Sequence, residues 1–192
     1  MIDTDKFQQV AVTTPEELRT WLVEHHQQAE SIWLVTYKKS VPDKYISTDQ
    51  VLDELLCFGW IDGIRRKLDE DRTMQLISPR KAQHWSQTYK NRAAQLIAAG
   101  KMQASGQQAI ARSKASGLWN FMDDVDQLIV PSDLKQAFDA RPDAWDFFEH
   151  INDSSKRFVL RWLKLSKTAA TRKSRIHKLV TLSAKGEKLP GS

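Results

Sequence analysis

The sequence holds a single cysteine, Cys57, in 192 residues, so no disulfide can form within the chain. No stretch approaches the ~20 apolar residues that a membrane span needs. Met1-Ile2-Asp3-Thr4-Asp5-Lys6 lacks a basic region followed by an apolar one. Without such an export pattern the expected compartment is the cytoplasm. Glycine is scarce, with seven residues, and none of them builds a GxGxxG fingerprint, a P-loop or a GxSxG elbow. The common nucleotide-binding and hydrolase motifs are therefore absent. Five histidines (His25, His26, His84, His150, His177) show no metal-ligand spacing. With one cysteine beside them, neither a metal site nor a cofactor is expected.

Hydrophobic residues make up 41% of the chain and include seven Trp, enough for a real core. The net charge of +5 conceals an asymmetry. Residues 156–188 hold eleven Lys/Arg against one acid, Glu187, whereas residues 1–155 hold eighteen against twenty-three. A mildly acidic body thus carries a basic tail. Such a tail suits an anionic partner (nucleic acid, a phosphate-rich ligand or an acidic protein surface), or is simply a solvated helical face.

Patterning predicts strands followed by helices. Phe7–Val12 reads as a short strand. Thr14-Pro15-Glu16-Glu17 is a helix start with Thr14 as its cap. Ser31–Lys38 is apolar on both faces, which predicts a central strand. Thr48 is expected to cap a densely apolar helix that Gly59 ends. Ile61–Leu68 and Thr73–Ile77 read as a hairpin around the acidic turn Asp69-Glu70-Asp71. From Gln83 onward only helices are expected, with a linker around Asp123–Pro131. Phe158, Trp162, Leu163 and Leu165 predict the docking face of one tail helix; Ile176, Leu179 and Val180 predict that of the next. The fold expected is α+β: a small mixed or antiparallel sheet with packed helices over 1–125, then a helical C-terminal module over 126–192.

The run Cys57-Phe58-Gly59-Trp60-Ile61-Asp62-Gly63-Ile64-Arg65-Arg66-Lys67 is the best candidate for a site. It joins a helix end to a strand and presents a lone Asp beside a basic triplet. Asp62 can serve as an acid, a base or a hydrogen-bond acceptor, or it caps a turn or pairs with Arg65 or Arg66. In a regular strand Arg65 and Lys67 share a face. With Arg72 and Arg80 they could surround an anion, since the planar guanidinium bonds phosphate or carboxylate in pairs. Trp60 and Trp85 could wall such a site or belong to the core. Cys57 reads as buried and structural. In the tail, Arg172, Lys173, Arg175 and Lys178 offer an alternative, a basic face for nucleic-acid phosphates.

Cys57–Gly63, Met74-Gln75, Ser78-Pro79-Arg80-Lys81 and Trp85-Ser86 together resemble the bacterial YdeI/OmpD-associated proteins. Gly100-Lys101-Met102, Ser105-Gly106 and Gly117-Leu118-Trp119 fit the same pattern. In the tail, Pro131, Phe147-Phe148, Ser154-Ser155-Lys156-Arg157, Arg161-Trp162 and Thr171-Arg172 fit as well. The likeness extends over nearly the whole chain. It implies a soluble bacterial protein in a bacteriocin-protection or porin-associated setting, and it supplies no catalytic residues. The expected function is binding of an anionic small molecule or acidic partner surface at Trp60, Asp62, Arg65, Lys67, Arg72, Arg80 and Trp85. The alternatives are nucleic-acid binding by the tail and an enzyme that uses Asp62.

Overall fold

One four-stranded mixed sheet carries the N-terminal half. In the computed structural model, which describes residues 6–192, its strands are β1 (Gln9–Ala11), β2 (Ile32–Tyr37), β3 (Trp60–Lys67) and β4 (Arg72–Pro79). Their order is β1-β2-β4-β3, with β1 parallel to β2 and the other pairs antiparallel. This is the α+β arrangement expected. Residues 32–36 of β2 are all buried, because β2 lies inside the sheet and its side chains are covered on both faces.

The helices of this half start where local chemistry sets them. In α1 (Pro15–His25), Thr14 accepts the Glu17 N–H. In α2 (Thr48–Cys57) the cap is Ser47 rather than the expected Thr48. Ser47 Oγ accepts the Gln50 N–H, and the Gln50 side chain accepts the Ser47 N–H. That reciprocal pair satisfies two orphan donors, which Thr48, one residue into the helix, could not do. α3 (Gln87–Ala98) is capped by Ser86, and α4 (Ala104–Ala115) follows.

These helices and one face of the sheet share a core. Leu18 and Leu22 of α1, Leu55 and Leu56 of α2, Ala93 of α3 and Ile110 of α4 close over Ile32, Leu34, Trp60 and Ile77. Close approach of α4 is a matter of glycine. A Cβ on Gly106 would lie 2.4 Å from Cys57 O, and one on Gly59 would lie 2.9 Å from both Ala109 Cβ and Ser105 O. Gly59 also has φ +72°, where a side chain is strained.

Two units cluster separately, the first running to Asn120 and the second spanning Phe121–Ser192. The second comprises α5 (Asp123–Asp126), α6 (Ser132–Asp139), α7 (Pro142–His150), α8 (Asp153–Lys164) and α9 (Ala169–Ser183). The segment read as a linker thus contains a helical turn, held by the buried Val125. In α8 the docking face is Ser155, Val159, Leu160 and Leu163. The expected Phe158 and Leu165 are instead 40% and 42% exposed. The second core joins Val159, Leu160 and Leu163 to Leu134, Phe138, Phe148 and Leu179.

Candidate anion-binding cleft

The hairpin of β3 and β4 is not regular. Asp62 pairs with Ile77 and Arg65 with Gln75, so Gly63 and Ile64 together oppose Leu76. The extra residue is a β-bulge, and it inverts the alternation of side chains. Asp62 and Arg65, which a regular strand would set on opposite faces, therefore share one face with Gln75 and Ile77.

That face carries a chain of polar contacts. The Tyr89 hydroxyl of α3 donates to Asp62 Oδ1 at 2.5 Å, and Gln75 Nε2 donates to Asp62 Oδ2 at 3.3 Å. Arg65 Nη2 donates to Gln75 Oε1 at 2.6 Å. Asp62 thus reaches Arg65 through Gln75. Tyr89 sits on the helix's apolar stripe, and its sequence position gives no sign that its hydroxyl tip meets a carboxylate.

The seven residues expected to form the site do not converge. Lys67 and Arg72 lie at the turn end of the hairpin, where Arg72 bonds Asp69. That contact holds the Asp69 carboxyl below its ordinary range. Arg80 follows the other end of β4, eight extended residues or roughly 26 Å away, too far to share one small anion with Arg72. Trp60 is a core residue, 0% exposed, whose Nε1 donates to His26 O at 3.1 Å. Trp85 is buried as well, beneath the Arg80 guanidinium.

Arg80 is the unusual member. It is 4% exposed, and its guanidinium lies 4.0 Å over the Trp85 ring and 5.5 Å over the Tyr89 ring. Its backbone N–H donates to Gly59 O at 2.9 Å, which fixes the segment. Among the described residues the guanidinium makes one long bond, Nη1 to His84 O at 3.5 Å, and Nε is buried without a partner. Burial lowers its pKa from the ordinary arginine value, offset in part by the nearby Tyr89 and Asp62. Among the described residues no carboxylate pairs with it.

Arg80 lines a cleft of about 450 Å³. Its walls come from α4, which contributes Ser105, Gln108 and Arg112, and from the chain past α1, which contributes His26, Gln27 and Gln28. Phe58 and Gly59 also line it. Among the described residues, two arginines line the cleft and no Asp or Glu does. The hydroxyl oxygen of Ser105 is buried and unpartnered. Ser105, Gln108 and Arg112 stand outside the set expected from sequence. Their spacing on α4 signals one shared face, but nothing local says what that face meets. Asp62 does not line the cleft. Cys57 is fully buried, and burial pushes its thiol pKa up, the opposite of an activated nucleophile.

In the second unit the basic tail is partly committed to structure. Arg172 bonds Asp133 at 2.6 and 2.9 Å and Leu163 O at 3.2 Å, and it holds the Asp133 carboxyl below its ordinary range. Arg175 donates to Trp162 O and stacks on the Trp162 ring at 4.8 Å. Lys173 and Lys178 are exposed. A second, more apolar groove of about 490 Å³ runs along α6 and α9 beside the Asp133–Arg172 pair. Among the described residues, no helix is long and apolar enough to cross a membrane, and no three His, Cys, Asp or Glu gather as a metal site.

Comparison with known families gives two matches that together cover most of the chain. A family described as a domain of unknown function (DUF8412) matches residues 10–109, and the chain belongs to it. A second family, described as "Bacteriocin-protection, YdeI or OmpD-Associated", matches residues 127–186. The likeness to YdeI/OmpD-associated proteins is therefore found over the tail alone. Cys57–Gly63 and the motifs as far as Ser105-Gly106 fall in the segment that the first family matches. No curated protein and no solved structure matches the chain.

Proposed function

We propose that the first unit is a binding module for an anionic ligand, held in the cleft at Arg80. One observation carries this reading: a guanidinium buried to 4% exposure, with an Nε unpartnered among the described residues, on the wall of a cleft to which those residues bring a second arginine and no carboxylate. Leaving a buried charged donor unsatisfied is costly, and an oxyanion would relieve that cost. Asp62, Gln75 and Arg65 then act as support, since their contacts to one another and to Tyr89 brace the strand that leads to the site. The wider role is protective, in a bacteriocin setting. That part of the proposal rests on the description matched at residues 127–186.

The test is thermal unfolding of the full chain with phosphate or sulfate against chloride, at matched ionic strength. The expected result is a higher midpoint with either oxyanion, lost in Arg80→Met and in the exposed-site variant Arg112→Gln. Stabilisation that survives both substitutions would overturn the reading. The exposed Lys173 and Lys178 keep nucleic-acid contact as a second reading for the tail.

A further inference from the structure

The cleft is far larger than an inorganic anion. At about 450 Å³ it falls in the range of small-molecule sites. Ser105, Gln108 and Arg112 fall at i, i+3 and i+7 of α4, so one helical face directs all three toward it. Gln27 and Gln28 add two further amides. Gln28 already donates to Glu30 O at 3.0 Å, which leaves its amide oxygen as an acceptor.

Each amide carries both donor and acceptor, the combination that matches hydroxyl groups. Two arginines and a serine hydroxyl supply more donors than a carboxylate can use, and they suit the several oxygens of a phosphate group. A flat base would want an exposed aromatic face. Of the two rings that line the cleft, Phe58 is 4% exposed, and His26 is half-buried, tilted against Phe58 at 5.8 Å and tied through Nδ1 to Leu22 O, so neither offers a broad open face.

Resting on the anion reading above, we infer that the ligand is a phosphorylated, hydroxyl-rich small molecule of the sugar-phosphate class. Its phosphate meets Arg80, Arg112 and Ser105 Oγ, which gives a partner to Arg80 Nε and Ser105 Oγ, two of the three buried unpartnered side-chain atoms among the described residues. Its hydroxyls meet the amides of Gln27, Gln28 and Gln108.

Calorimetric titration of the full chain tests this with glucose 6-phosphate, ribose 5-phosphate and glycerol 3-phosphate. The comparison probes are inorganic phosphate, glucose and adenosine monophosphate. At least one of the three phosphorylated polyols should bind about tenfold more tightly than inorganic phosphate, the gain from one or two well-made hydrogen bonds. Glucose should not bind measurably. Gln108→Ala, an exposed-site change, should weaken that ligand by roughly threefold to tenfold and leave inorganic phosphate unchanged. Ser105→Ala should weaken both. Equal affinity for phosphate and all three polyol phosphates, or tighter binding of adenosine monophosphate, would overturn the inference while leaving the anion reading intact. No binding of any phosphate compound would remove both.

Discussion

The guanidinium of Arg80 lies over the indole of Trp85, 4.0 Å from the ring centre. The pair explains how a nearly buried charge is tolerated with no carboxylate bonded to it. The aromatic face attracts the cation, and more strongly where water is excluded. The same pair explains why Trp85 contributes no surface to a ligand.

Removing this charge should not unfold the protein. Arg80→Met replaces a desolvated guanidinium by an apolar chain of similar length, which still packs on Trp85. Such replacements are often neutral or stabilising. The expected outcome is an unchanged or higher midpoint in urea, together with loss of the oxyanion response. Arg80→Lys should also lose that response, because an ammonium cannot present the side-on pair of N–H groups.

Glycine at position 106 is a packing requirement. Alanine is the better helix former by ~1 kcal/mol, so Gly106→Ala would stabilise an open helix. Here its Cβ would lie 2.4 Å from Cys57 O and 2.8 Å from Leu56 O. Backbone cannot yield as a side-chain tip can, and overpacking of this kind costs about 1–3 kcal/mol. Chemical denaturation should show a net loss for Gly106→Ala. At Gly117 nothing lies within 4 Å and only the positive φ resists substitution, so Gly117→Ala should cost about 1 kcal/mol.

These sites mark where the sequence could and could not be read. Caps are local, so Thr14 was legible, and Ser47 was missed by one residue. Strand β2 follows from its apolar run, and β3 and β4 from their place on either side of the acidic turn Asp69-Glu70-Asp71. The bulge at Gly63–Ile64 is invisible because Ile61 to Lys67 reads as an unbroken strand, and only its pairing with β4 shows two residues opposite one. Arg80 is legible as a cation that could join an anion site, but its burial over Trp85 is not. The cleft depends on α4 closing over Gly59, a contact between segments some fifty residues apart. In α8, Phe158 and Val159 are adjacent and both apolar, so spacing alone did not decide which one turns inward.

Glu54 should make the protein more stable in mild acid than at neutrality. Burial raises its pKa above the ordinary glutamate value, only partly opposed by Arg19 at 2.7 Å. The folded state therefore holds the proton more tightly than the unfolded chain. Stability from this group is present in full below the unfolded value of about 4.5 and fades as pH rises through the folded value. Asp69, Asp124 and Asp133 are shifted the other way, so their losses begin at lower pH. Urea denaturation of wild type and Glu54→Gln between pH 4.5 and pH 7 isolates the effect. The variant's stability relative to wild type should rise with pH; a difference flat across this window would contradict the account.

Oligonucleotide binding by the tail, if measured, should depend on lysines and not on the paired arginines. Arg172 is engaged by Asp133 and Leu163 O, and Arg175 by Trp162. To reach a phosphate, either would first have to break contacts that hold α9 in place. Lys173 and Lys178 are exposed and carry no such cost. Each phosphate contact on duplex DNA contributes about 0.9 to the slope of log affinity against log salt. Fluorescence anisotropy of a labelled duplex should thus show the slope falling by about 2 when Lys173 and Lys178 are both changed to Gln. Arg172→Ala should leave the slope unchanged and instead cost about 0.5–1 kcal/mol of stability, a modest value because both partners are partly exposed. The opposite pattern, a slope lost with Arg172 and kept without the lysines, would mean that the Asp133–Arg172 pair opens to bind phosphate.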